Sequence, residues 1–275
     1  RGEVDKPSLS IDLKIHADVR DVIGKLLATG FTSDSEDHRK WLKWCREIDA
    51  RYPACLPEFY EQKSPVNPYA FVDTFFKVLP EGEAIVCGNG SACVITFQGA
   101  IVKPGQRLFT NSGCASMGYG FPAALGVAVS RKGEQVICID GDGSFQMNLQ
   151  EMQTVVHNNL NLKIFIFNNS GYHSIRQTQT NLFCPNPLIG VCKNSGISFP
   201  DCEKLAYTYC MPYVRIDDLD KAEEKIGEVL AVEGPVLCEV VLDIEQNFEP
   251  KLSSRVLPDG KIVSLVLDDM FPFIS

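Results

Sequence analysis

The chain has 275 residues, 45% of them hydrophobic, and a formal net charge of −9. That length allows one large domain or two smaller ones with an ample core. The acidic balance excludes an electrostatic footing on nucleic acid or an anionic membrane, so any anion site must be local, and no stretch reaches membrane-spanning length. Eleven cysteines are scattered without a CxxC pair, and Cys87, Cys93, Cys138 and Cys238 fall in apolar runs. An odd count in a core-rich chain predicts reduced thiols and a cytoplasmic setting; a pair such as Cys184 with Cys192 stays open.

The opening Arg-Gly-Glu-Val-Asp-Lys has no initiator methionine and no signal sequence, and reads as the start of a piece cut from something longer. Residues 34–51 predict an amphipathic helix with Trp41, Trp44, Cys45 and Ile48 on one face. At that spacing the tryptophans are read as core or interface, not as a ligand platform. Residues 53–68 form a proline-punctuated linker. Asn67 then caps a helix with Pro68 at its first position and Phe71, Phe75, Val78 and Leu79 inward. Residues 83–87 predict the first sheet strand. It ends in Gly88, Asn89, Gly90 and Ser91, a glycine-rich turn where backbone can meet a ligand. A short strand over 108–111 and a small-residue helix over 122–129 follow.

The rest is organised around residues 135–171. An apolar run over 135–139 reads as a buried parallel strand and ends in Asp140, Gly141, Asp142, Gly143 and Ser144. Leu149, Met152, Val155 and Val156 recur at helical spacing over 148–157, and 162–167 is a second buried strand ending in Asn168 and Asn169. Both polar clusters therefore leave neighbouring strands at the edge where open α/β sheets bind ligands. Gly141 and Gly143 admit close backbone approach, and a helix starting just beyond offers N–H groups to phosphate. Asp142 and Asn169 offer the hard oxygens that Mg²⁺ prefers. Taken singly, Gly-Asp-Gly-Ser is a turn and Asn-Asn a polar strand end; the combination in strand–helix–strand context points to a cofactor motif.

Downstream, Tyr172, His173, Arg176, Gln177 and Thr178 begin a helix and loop. His173 reads equally as a general acid/base or as an exposed loop histidine, and Arg176 is assigned to a surface carboxylate. Helices over 200–210 and 219–232 bracket a strand over 213–216, and 236–242 is the closing strand. Alternating strand and helix from residue 68 onward predicts an α/β fold, a doubly wound, mostly parallel sheet with helices on both faces. Residues 250–275 form a polar, irregular tail with a turn at Pro258, Asp259 and Gly260, held by Leu252, Val256, Val263, Leu265, Leu267, Met270 and Phe271.

GDGSFQMNLQEMQT, the Asn168-Asn169 pair and the upstream SMGYGFPAA resemble the cofactor motif of the thiamine diphosphate enzymes, closest to the acetolactate synthase-like group. The likeness covers most of residues 65–275. It implies Mg²⁺ on Asp142, Asn169 and the Gly171 carbonyl, and diphosphate near Gly143 and Ser144. It also implies cofactor contacts from Asn89, Gly90, Gly141 and Tyr172, with Ala115 and Met117 meeting the pyrimidine. His173 and Gln177 become substrate-side candidates. Asn89-Gly90-Ser91 departs from the Gln-His-Gln type of sequence of acetolactate synthases proper, and Thr178 replaces a tryptophan that shapes their acceptor pocket.

The resemblance further implies a thiamine diphosphate-binding fold and action on 2-oxo acids by decarboxylation or carboligation. Residues 1–33 become a remnant of a middle domain, its last strand and helix. A helix and linker follow over 34–67, the cofactor domain over 68–249 and a C-terminal arm over 250–275. The activating glutamate is expected in an N-terminal domain outside this chain, from a partner subunit, so the intact protein is a homodimer or tetramer and the piece alone is inactive. FAD in the parent protein is left open, because the surface that would hold it falls mostly outside the chain. Two other readings stand beside this one: a Mg²⁺-dependent phosphoryl-transfer enzyme using Asp140 and Asp142, and a non-catalytic dimerisation module with a vestigial site.

Overall fold

The computed structural model describes all residues except 1, 3, 8, 9, 253 and 265–275. The chain divides into two units, Arg1–Pro53 and Ala54–Ser275. The first carries helices α1 (Val19–Ala28) and α2 (Glu36–Arg51), started by Asp18 and Ser35, whose side chains accept from the backbone N–H groups of Arg20 and His38. Among the described residues no strand precedes α1, so the expected strand of a middle-domain remnant is absent there. Neither helix buries a residue. Trp41 and Trp44 stack with ring centroids 5.0 Å apart and stay 63% and 50% exposed, which makes them no part of a core in this chain.

The second unit begins with α3 (Pro68–Val78), whose cap Asn67 accepts from the N–H groups of Tyr69 and Ala70. There follow β1 (Ala84–Cys87), α4 (Ser91–Gly99), β2 (Arg107–Phe109), α5 (Gly120–Ser130), β3 (Val136–Gly141), α6 (Asp142–Phe145), α7 (Glu151–His157), β4 (Leu162–Asn168), α8 (His173–Phe183), α9 (Cys202–Thr208), β5 (Tyr213–Ile216), α10 (Ala222–Ala231) and β6 (Val236–Val241). The six strands pair in the order β2-β1-β3-β4-β6-β5, all parallel. The sheet is the doubly wound one expected, and the chain reverses its direction of winding between β1 and β3. That is the position at which such sheets open a ligand crevice.

Strand alternation divides the core. Ile137, Ile139, Phe165 and Phe167 pack on the side of α3, α4 and α10, while Cys138, Ile164 and Ile166 pack with α5, α7 and α9. Phe71 and Phe75 of α3 set their rings 5.6 and 4.7 Å from those of Phe167 and Phe165. Each such buried ring contributes roughly 2–3 kcal/mol, and together they pin the end of β4 from which Asn168 and Asn169 emerge. The register pairs Gly141 with Phe167, so Asp142 and Asn168 leave adjacent strands side by side.

The helix expected over 148–157 is present but starts later, at Glu151. A 3-10 turn, Gln146–Asn148, separates α6 from α7, and Asn148 spends its side-chain amide on the Gly118 carbonyl at 2.7 Å. The tail expected to be irregular contains an antiparallel hairpin of β7 (Ser254–Val256) and β8 (Ile262–Ser264) around the Pro258–Gly260 turn. Leu252 and Val256 are 39% and 50% exposed and hold little of it; Leu265, Leu267, Met270 and Phe271 lie outside the described residues. All eleven cysteines are free. Among the described residues no helix is long and apolar enough to cross a membrane.

Candidate functional site

Three strand ends converge. The turns after β1, β3 and β4 bring Asn89, Gly90, Gly141, Asp142, Gly143, Ser144, Asn169, Gly171 and Tyr172 around one cavity of about 130 Å³, joined by Met117 from the loop before α5. Ala115 stands apart from that lining: its carbonyl accepts the Asn89 side-chain amide at 2.9 Å. Gln177 is also elsewhere, buried under the chain after β6, where it donates to Asn247 and accepts from Lys251. His173 does line the cavity and is buried on α8, not exposed on a loop. Arg176 donates to His173 Nδ1 at 2.8 Å and to the Ile244 carbonyl, partners that displace the surface carboxylate expected for it.

Asp142 is the charged centre. Its Oδ1 accepts from Gly143 N–H at 2.7 Å and its Oδ2 from Gly171 N–H at 3.0 Å. Burial pushes its carboxyl up to about 7 against the lowering pull of those N–H groups and of Arg176. The pull of Arg176 and the N–H groups leaves the burial cost of this carboxylate only partly offset. Beside it, Asn169 donates to the Ser91 hydroxyl at 3.0 Å, and its own Oδ1 is buried with no partner. Ser91 lines the same cavity, and the sequence does not single it out.

The donor set fits a hard divalent cation: one carboxylate whose burial is only partly offset, one unused amide oxygen, and the carbonyl of Gly171, which accepts the His173 N–H at 3.1 Å. Oxygen donors of this kind suit Mg²⁺, which completes its octahedron with water and phosphate oxygens. Asp142, Asn169 and Gly171 would hold it.

The backbone around the cavity is fixed by close contacts. A Cβ on Gly143 would lie 2.2 Å from the Tyr172 ring, and that ring is held edge-on by Phe199 at 5.3 Å. The loop carrying Met117 is tied to the turn after β3, since Gly118 N–H donates to Ser144 Oγ at 2.9 Å. Asp140 is fully buried beneath, accepting from Gly141 N–H, and burial pushes its carboxyl to about 6.

Residues 88–240 match the family model described as thiamine pyrophosphate enzyme, C-terminal TPP binding domain. The chain is 27% identical over 271 residues to acetolactate synthase 2, chloroplastic, of Zea mays, covering 97% of this chain and 41% of that protein. It is 24% identical over 249 residues to the acetolactate synthase isozyme 1 large subunit of Escherichia coli (strain K12), covering 90% and 42%. Over 242 residues it is 30% identical to acetolactate synthase 2, chloroplastic, of Nicotiana tabacum, covering 84% and 36%. The chain thus spans about two fifths of the length of these relatives.

Proposed function

The chain belongs to the thiamine pyrophosphate enzymes, in their acetolactate synthase-like group, and from that premise we propose that it supplies the diphosphate- and Mg²⁺-binding half of an active site acting on 2-oxo acids. The reaction is decarboxylation, carboligation or both, the work of a lyase or transferase. The observation that carries the reading is the pairing in one cavity of the buried Asp142 carboxylate with an unpartnered Asn169 oxygen.

When bound, thiamine diphosphate supplies the electron sink for breaking the bond beside a 2-oxo acid's carbonyl. The chain's own residues bind and orient. Asp142, Asn169 and the Gly171 carbonyl hold Mg²⁺, while Gly143 and Ser144 face the diphosphate. Asn89 and Gly90 close the β1 side, and Asn89 also holds the Ala115 carbonyl near the region assigned to the pyrimidine. Met117, which lines the cavity, would offer the cofactor a flexible apolar chain. His173, whose Nδ1 accepts from Arg176 and whose Nε2 is buried without a hydrogen-bond partner, is the substrate-side candidate on α8, and Gln177 braces the segment after β6.

No residue here is given the role of activating the cofactor; an acid from a second subunit is proposed for it, in a homodimer or tetramer. A cytoplasmic setting is supported by eleven free cysteines with no paired motif. The test is an assay of the full-length protein on pyruvate and larger 2-oxo acids. The reading expects CO₂ release that requires both thiamine diphosphate and Mg²⁺. Failure to bind the cofactor together with no turnover of any 2-oxo acid would reject it.

A further inference from the structure

Behind the metal-holding turn lies a second tier of polar groups that does not touch the cavity. Glu239 stands in the middle of β6, 5% exposed, opposite Ile166 of β4 in the sheet register. Its Oε1 accepts from Asn168 Nδ2 at 2.6 Å. Its Oε2 accepts from the Tyr213 hydroxyl at 2.5 Å and from Arg215 at 3.2 Å. Asn168 in turn accepts the Ser170 N–H on its Oδ1 at 3.0 Å, and its carbonyl accepts from Leu242 N–H. Ser170, between Asn169 and Gly171, has φ +56, a left-handed conformation that a non-glycine residue keeps only when its surroundings enforce it.

We propose that Glu239 is a positioning residue for Mg²⁺, acting through Asn168 on the turn that carries Asn169 and Gly171. The chemistry is one of polarity. An ionised carboxylate only accepts, so Asn168 must present its NH₂ to Glu239 and its oxygen to Ser170. A reversed amide would set oxygen against carboxylate and NH₂ against the Ser170 N–H. The carboxylate, held by Tyr213 and Arg215, thereby locks the left-handed turn, and the turn sets where Asn169 and the Gly171 carbonyl stand relative to Asp142. Burial and the bond to Glu239 push the Tyr213 hydroxyl well above its ordinary range, which keeps it a donor.

This inference rests on the Mg²⁺ reading above, and the experiment separates the two. The affinity of the full-length protein for Mg²⁺ is measured at saturating thiamine diphosphate for the parent, Asn168→Asp, Glu239→Gln, the double variant and Asp142→Asn, with the thermal midpoint of each in the absence of Mg²⁺. Asn168→Asp sets two carboxylates face to face and is expected to weaken Mg²⁺ binding about tenfold or more. In the double variant the glutamine NH₂ donates to the introduced carboxylate, whose other oxygen still accepts from Ser170, while the glutamine oxygen accepts from Tyr213 and Arg215. Mg²⁺ affinity then returns to within about threefold of the parent. A purely structural role would move the midpoints without this recovery.

If Asn168→Asp does not fold, Glu239→Gln alone carries the test. It keeps size and packing, frees the amide to reverse, and is expected to weaken Mg²⁺ binding about threefold or more. Parent-like affinity in Asn168→Asp or, in its place, in Glu239→Gln overturns the proposal, as does a double variant no better than Asn168→Asp. If Asp142→Asn abolishes Mg²⁺ binding while those results appear, the positioning inference alone fails; if Asp142→Asn also binds normally, both fall.

Discussion

Asn169 donates from Nδ2 to the hydroxyl of Ser91 at 3.0 Å, and that bond anchors the amide beside Asp142. The remaining atom is Oδ1, buried and without a partner. Ser91→Ala removes the group that anchors the Nδ2 end of the amide. The expected outcome is about tenfold weaker Mg²⁺ binding with little change in folding stability, read by calorimetric titration beside a denaturant curve. An unchanged affinity would mean that the serine does not orient Asn169.

Gly143 is required for space. A methyl there would meet the Tyr172 ring at 2.2 Å, and Phe199 limits the ring's retreat. Gly143→Ala is expected to cost about 1–3 kcal/mol, the range for overpacking a filled site. Adding Tyr172→Ala should return part of that loss, because it removes the obstructing ring. Denaturant midpoints of the two variants check both statements.

The adjacency of β3 and β4, the two convergent turns and the cofactor motif could be read from residues 135–171, because apolar runs ending in Gly, Asp and Asn are local signals. Glu239 could not. Its partner Asn168 is 71 residues away, and a charged residue inside a strand has no local mark of whom it meets. Ser91 was hidden for the same reason, since its bond to Asn169 spans 78 residues. The later start of α7 escaped the helical period because the apolar spacing begins at Leu149, while Asn148 just before it reaches back to Gly118. His173 was left undecided because segments distant in sequence bury it, among them the one after β6, with the Phe248 ring centroid 5.2 Å from its own.

Asn67 caps α3 twice, accepting from Tyr69 N–H at 2.9 Å and Ala70 N–H at 3.2 Å, and donates to Gln246 beyond β6 at 2.7 Å. Asn67→Ala loses the cap and the tie together. A loss of about 1–2 kcal/mol is expected from the cap, seen as a lowered thermal midpoint, and Asn67→Asp should recover most of it by keeping the accepting oxygen.

Lys163 lies fully buried on β4, donating to the carbonyls of Val232 and Gly234, and burial pushes its ammonium down to about 8 from 10.5. The unfolded chain therefore holds more protons than the folded one between those values, and stability from this group rises with pH across that window. Below pH 8 both states are charged and the burial cost is present in full. Between pH 8 and pH 10 the parent is expected to gain on the order of 1–2 kcal/mol relative to Lys163→Met, measured by urea unfolding at the two pH values.

The central claim is that Asp142 and Asn169 share one Mg²⁺ that anchors a diphosphate. Calorimetric titration of Mg²⁺ into the full-length protein at saturating thiamine diphosphate tests it directly, comparing the parent with Asp142→Asn and Asn169→Ala. The account predicts that the first substitution abolishes binding and the second weakens it at least about tenfold. Equal Mg²⁺ affinity in the parent and in Asp142→Asn would contradict it.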